Sequence, residues 1–172
     1  KLQQSSDSEL ETLRQQELAL REQRELTTRK LANLTDIERQ LSSRKQEIEK
    51  VMRSQPIDFV QISYNLLDRE VEQRILPLAR ERGIGVIVNR PFREGALLRE
   101  LQRHRLPPWA AEFGCDGWAQ FALKFIVSHP AVTCAIPATS SVAHVRQNLG
   151  AARGVLPDAA MRARMAAHVA AL

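Results

Sequence analysis

The sequence predicts an α/β domain of short parallel strands and helices, preceded by one long helix. Three observations lead there. The composition breaks near residue 55: of the 172 residues, every glycine, proline and aromatic lies beyond that point, the first being Pro56, Phe59 and Gly83. Residues 8–51 are dominated by Glu, Gln, Arg and Leu and contain no helix breaker. Beyond Pro56, short apolar runs alternate with helical spacings, a pattern that implies parallel pairing through right-handed crossovers.

The first segment reads as a coiled-coil-like leader over residues 1–52. Leu13, Leu20, Thr27, Leu34, Leu41 and Ile48 repeat strictly at seven, while the companion position reads Leu10, Glu17, Arg24, Leu31, Glu38 and Lys45. One seam is therefore apolar and the other half polar. A solvated spacer or oligomerisation helix is the plain reading, because a lone helix of this kind buries little. Ten basic and ten acidic residues balance over residues 1–52, which gives no case for nucleic acid there.

In residues 53–172, Ile57–Ser63 alternates as a strand, with Phe59, Gln61 and Ser63 on one face and Val60 and Ile62 on the other. Leu66–Arg82 follows at helical spacing through Leu67, Val71, Ile75 and Leu78, and stops at Gly83. Ile84–Asn89 is a second strand, and a loop is expected from Arg90 to about Gly117. Trp118–Ser128 reads as a helix and Ala131–Ile136 as a third strand, with Cys134 a small core residue. Helices are expected from about Ser141 to Ala151 and from Pro157-Asp158 onward.

Totals narrow the function classes. The chain carries a formal charge of +5, and the excess lies in residues 53–172, with fifteen basic and ten acidic residues. Those arginines are scattered without interleaved aromatics, so nucleic-acid binding is not expected. Two cysteines, Cys115 and Cys134, make neither a disulfide framework nor a metal set, and the four histidines show no metal spacing. No apolar stretch is long enough to span a bilayer and no signal peptide opens the chain, so no membrane partner and a cytoplasmic location are expected. A start at Lys1 instead of methionine fits a fragment or processed product.

His129–Asn148 carries the clearest chemistry. A turn at His129-Pro130 leads into a short apolar run that reads as a buried strand, Pro137 closes it, and Thr139, Ser140 and Ser141 open a helix. A hydroxyl-capped helix start presents unpaired N–H groups and a positive dipole end to an anion, typically a phosphate. The plainer reading is that Ser140 or Ser141 is simply an N-cap, as most such serines are.

The stretches IDFVQISYNLLDRE, ARERGIGVIVNRPFREG and WAQFALKFIVSHPAVTCAIPATSSVAHVRQN, in order and at natural spacing, resemble the C-terminal half of an aldo/keto reductase from about Gln46 to about Pro157. The resemblance implies that residues 53–172 are part of a (β/α)8 TIM barrel, its sixth to eighth strands with their helices. It implies NAD(P)H-dependent carbonyl reduction, with NADPH or NADH as the cofactor once the fold is completed. By the same resemblance Gln61 holds the nicotinamide carboxamide, although an inward glutamine is also an ordinary satisfied core group. Asn89 stands where many members place a ring-stacking aromatic. Arg90, Pro91, Phe92, Arg93 and Gly95 correspond to a phosphate-binding loop, which such barrels place after the seventh strand. Ala138 and His144 stand at the usual basic positions of the second loop, and Thr139, Ser140, Gln147 and Asn148 match its hydroxyl and amide contacts.

The family's catalytic tyrosine, lysine, histidine and aspartate have no counterparts here, so no catalytic residue is assigned. Tyr64, the single tyrosine, lies in the sixth-strand motif, and Lys124 lies mid-helix. The expectation is a cofactor-binding half that is inactive alone. The alternatives are a non-catalytic interaction protein, self-associating through residues 8–51 and an open sheet edge, or a truncated or joined gene product.

Overall fold

A computed structural model describes the backbone of residues 2–172 and the side chains from Leu13 onward except that of Glu38. The heptad assignments of Leu10 and Glu38 therefore lie outside the described residues. Two compact units are present, Lys1–Lys50 and Val51–Leu172.

In the first unit a single helix, α1 (Leu2–Ser54, whose last turn belongs to the second unit), runs without interruption, as its lack of glycine and proline dictates. Its leucine row faces solvent: Leu13, Leu20, Leu34 and Leu41 are 50–60% exposed. Charged side chains pair along the helix surface, as between Arg21 and Glu17 at 2.8 Å.

In the second unit the order is β1 (Phe59–Ser63), α2 (Ile75–Arg82), β2 (Gly85–Asn89), α3 (Ala96–Leu101), α4 (Trp118–Val127), β3 (Cys134–Ala135), α5 (Val142–Gly150) and α6 (Ala159–Ala170). The three strands form one parallel sheet in the order β1-β2-β3. Gln61 lies opposite Ile87, and Ser63 opposite Asn89. The α/β expectation with parallel strands holds.

The sheet has one covered face. Val60, Ile62, Val86 and Val88 are buried together with Leu76, Leu78, Phe121, Phe125 and Ile126 of α2 and α4. The opposite face carries Phe59, Gln61 and Ser63 of β1 beside Gly85, Ile87 and Asn89 of β2, and Phe59 is 61% exposed. Period-two alternation thus separates core from open face as the sequence foretold.

Four local expectations need correction. The stretch Leu66–Arg82 is helical only from Ile75, after a 3₁₀ turn at Glu70–Glu72. The side chain of buried Asn65 accepts the N–H groups of Leu67 (3.0 Å) and Asp68 (2.9 Å), and this local turn competes with helix. The region expected as loop, Arg90–Gly117, contains α3 and a 3₁₀ turn at Pro108–Phe113, because Leu97 with Leu101 and Ala110 with Phe113 repeat at helical spacing and are buried.

The third strand shrinks from Ala131–Ile136 to Cys134–Ala135. Ala131 N–H donates to Nδ1 of His129 and Val132 N–H to its carbonyl, so the turn consumes the start of the run. Cys134 is exposed, not a core residue, because this short edge strand turns it away from the covered face. The run is accordingly not a buried strand.

Candidate functional site

Loop chemistry after β2 shapes the site. Arg90, Arg93 and Glu94 hold positive φ angles of 50°, 50° and 56°, a conformation seldom adopted by side-chain-bearing residues, and Gly95 follows at 84°. The tight turn is closed by Arg93 N–H to the Arg90 carbonyl (3.1 Å) and Gly95 N–H to that of Phe92 (2.9 Å). Arg90 pairs with Glu94 at 2.9 Å. Asn65 Nδ2 donates to the Arg90 carbonyl at 3.4 Å, which ties this loop to the end of β1.

Opposite lies the start of α5. Ser141 is its N-cap, accepting the His144 N–H at 3.4 Å, and its own N–H donates to the Thr139 hydroxyl at 3.1 Å. Thr139 Oγ1 lies 3.4 Å from His144 Nδ1. Ser141, of the two serines, therefore does the capping.

Between them is a cleft of about 440 Å³. Of the residues expected to bind a cofactor, Arg90, Pro91, Phe92, Gly95, Ala138, Thr139, His144, Gln147 and Asn148 line it. Gln61, Asn89, Arg93 and Ser140 do not. Gln61 points from the open sheet face, and Asn89 Oδ1 accepts from the Ser63 hydroxyl at 2.8 Å on that same face. Arg93 turns away to Asp68 (Nε to Oδ2, 3.4 Å), and Ser140 lies exposed before the cap.

Four lining residues escaped the sequence reading: Glu94, Leu98 and Gln102 of the β2–α3 region, and Ala119 of α4. The helical spacing of Leu97 and Leu101 is the signal that identifies α3 and would have found Leu98 and Gln102. The cleft has one arginine paired with one carboxylate, a hydroxyl, an imidazole and the three side-chain amides of Gln102, Gln147 and Asn148, a set of donors and acceptors suited to a polar ligand that carries an anionic group.

The tyrosine and lysine are committed elsewhere. Tyr64 is fully buried; its hydroxyl donates to Glu72 and accepts from Arg162, which also bonds Glu72 at 2.9 Å. Burial, reinforced by the Glu72 hydrogen bond, pushes the Tyr64 phenol well above its ordinary value. Lys124 is fully buried, and its ammonium donates to the carbonyls of Arg153 (2.6 Å) and Val155 (2.9 Å). His129 is held below the ordinary histidine range by burial and by Arg162. Among the described residues no group of His, Cys, Asp and Glu is arranged to hold a metal, and no helix is long and apolar enough to cross a membrane.

The aldo/keto reductase family model matches residues 41–168. The chain belongs to the aldo/keto reductase family. Only part of the reductase domain is present. An aldo/keto reductase from Klebsiella pneumoniae crystallised with NADP and acetate is 25% identical, with a TM-score of 0.59 over 72% of this chain and 44% of that one. A second reductase from Klebsiella pneumoniae, in complex with NADPH, is 27% identical with a TM-score of 0.51, over 63% of this chain and 38% of that one. The chain thus spans under half the length of these reductases.

Residues 1–54 match a different family, the YfhG lipoprotein. The uncharacterized protein YfhG of Escherichia coli K12 is 80% identical over 45 residues, which is 26% of this chain and 19% of that protein.

Proposed function

We propose that the chain holds a nicotinamide nucleotide in the cleft between the β2–α3 loop and the start of α5, as the cofactor-binding half of an NAD(P)H-dependent carbonyl reductase. The observation that carries this reading is the convergence of Arg90, Thr139, His144, Gln147 and Asn148 on one cleft between the β2–α3 loop and one side of α5, a nine-residue helix. These donors fit a dinucleotide: a guanidinium and N–H groups for phosphates, amides and a hydroxyl for ribose and base. The nucleotide, when bound, supplies a hydride. The resemblance adds Gln61, Asn89, Arg93 and Ser140, which would reach the ligand from the completed fold.

In this reading residues 53–172 are part of a (β/α)8 barrel, with β1, β2 and β3 as its sixth to eighth strands, and residues 1–52 are a coiled-coil-like leader that self-associates. Turnover by the family's route requires a tyrosine as proton donor, and Tyr64, the one tyrosine of the chain, does not line the cleft, its hydroxyl being engaged by Glu72 and Arg162. The reading includes a cytoplasmic location, and recovery of the expressed chain in a membrane pellet overturns that part.

Titration with NADPH and with NADH, followed by nucleotide fluorescence, tests the binding. Saturable binding in the micromolar range is expected, weakened about tenfold by Arg90→Ala. No binding of either nucleotide at high micromolar concentration overturns it.

A second reading, a joined gene product, is favoured by one observation: residues 1–54 and 41–168 match two different families. Sequencing the coding region across codons 41–54 from source DNA tests it. A continuous frame across those codons supports this reading, and two separate frames in the genome remove it.

A further inference from the structure

A single helix with an exposed leucine row has a surface to cover, and the charges beside the row decide how a second helix fits it. Leu13, Leu20, Leu34 and Leu41 share one heptad position, and Leu31, 64% exposed, lies at the companion position. Thr27 occupies the leucine row too. Its hydroxyl donates to the Gln23 carbonyl at 2.8 Å, so its donor is satisfied within the helix when the seam closes over it. At the companion position stand the charged residues Glu17, Arg24, Glu38 and Lys45.

A parallel pair in register brings identical companion positions face to face. Glu17 would meet Glu17 of the second copy, Arg24 would meet Arg24, and Lys45 would meet Lys45: like charges at the centre of the seam. An antiparallel pair sets each companion position against the leucine row. With a two-fold axis at Arg29, Glu17 lies beside Leu41, Arg24 beside Leu34, Leu31 beside Thr27 and Lys45 beside Leu13. The long stems of Arg and Lys then cover leucine while their heads stay in water.

We propose that α1 pairs antiparallel with α1 of a second copy of this chain, about a two-fold axis at Arg29. The proposal rests on the self-association of the leader given above and adds its orientation and register.

Light scattering during size exclusion of the intact chain is expected to give twice its 19.5 kDa. A monomer at about 50 μM overturns both the self-association and this proposal. Orientation is read by disulfide trapping in a Cys115→Ala, Cys134→Ser background. Leu41→Cys alone is expected not to cross-link, because an antiparallel pair sets the two thiols about 36 Å apart. A mixture of Leu41→Cys and Glu17→Cys chains is expected to cross-link. Trapping of Leu41→Cys with itself overturns the orientation and leaves self-association standing.

Amine cross-linking of the native chain, with one copy isotope-labelled, provides the same reading without substitutions. Lys30 linked to Lys30 without Lys50 linked to Lys50 supports the antiparallel pair, and Lys50 linked to Lys50 overturns it. A dimer giving neither Lys30 nor Lys50 links also overturns it, because then another surface does the pairing.

Discussion

Lys124 shows how much one side chain does at the residue scale. Its ammonium is buried on α4 and joins that helix to the segment between α5 and α6 through two carbonyls. Lys124→Met keeps the apolar stem and leaves both carbonyls without their charged donor. A loss of about 2–4 kcal/mol is expected, read as a lower urea midpoint at unchanged slope. Two protonated groups act at high pH. Tyr64 keeps its proton in the folded chain above its ordinary 10.0, and burial pushes the Cys115 thiol up from 9.0 to about 11. The folded state therefore binds more protons than the unfolded chain once pH passes about 9, and stability falls as pH rises further. A series of urea midpoints from about pH 8 to about pH 11.5 should show that fall, and Tyr64→Phe should flatten its upper part. At low pH the sign reverses for His129: its folded value lies below 6.5, so stability declines as pH drops below that point.

At the scale of elements, the helix starts separate structure from function. Ser141 caps α5 at 3.4 Å, whereas Asp158 caps α6 through its carboxylate at 2.7 Å to Met161 N–H. The shorter, charged bond at a positive dipole end is the stronger. Asp158→Ala is expected to cost about 1–2 kcal/mol and Ser141→Ala about 0.5–1 kcal/mol, both from denaturation midpoints. If the two losses came out in the reverse order, the Ser141 hydroxyl would have a role beyond the cap. The strained turn at Arg90–Gly95 is the other decisive element, because it folds Arg90 and Glu94 over the same cleft that receives the start of α5.

Across the whole second unit, the sheet is asymmetric: one face is packed by α2 and α4, the other open. The two faces should respond differently to substitution. Leu76→Ala, on the covered side, is expected to cost about 2–5 kcal/mol. Phe59→Ser, on the open side, is expected to change stability by no more than about 0.5 kcal/mol and to improve solubility. A large loss from Phe59→Ser, measured on the same chain at the same concentration, would mean that the open face is covered in solution. The matched part makes up less than half of each of the two Klebsiella pneumoniae reductases.

Local periodicity determined much of this protein before any coordinates. The unbroken Leu and Glu row of residues 8–51 specified α1, and the alternation of Val60 with Gln61 and Ile62 separated core from open face. The resemblance of the ordered motifs around Asn89–Gly95 and Ala138–Asn148 to the reductase family pointed to one site, since such barrels bind phosphate at two successive strand ends. Tertiary structure alone decided the rest. Arg93 is drawn to Asp68, far from it in sequence, and so does not line the cleft. Glu94 enters the cleft because the turn reverses at positive φ. Each of these outcomes depends on a partner distant in sequence or on one residue's backbone angle. Residue spacing encodes which face of an element is apolar, but it does not encode which polar partner a side chain meets.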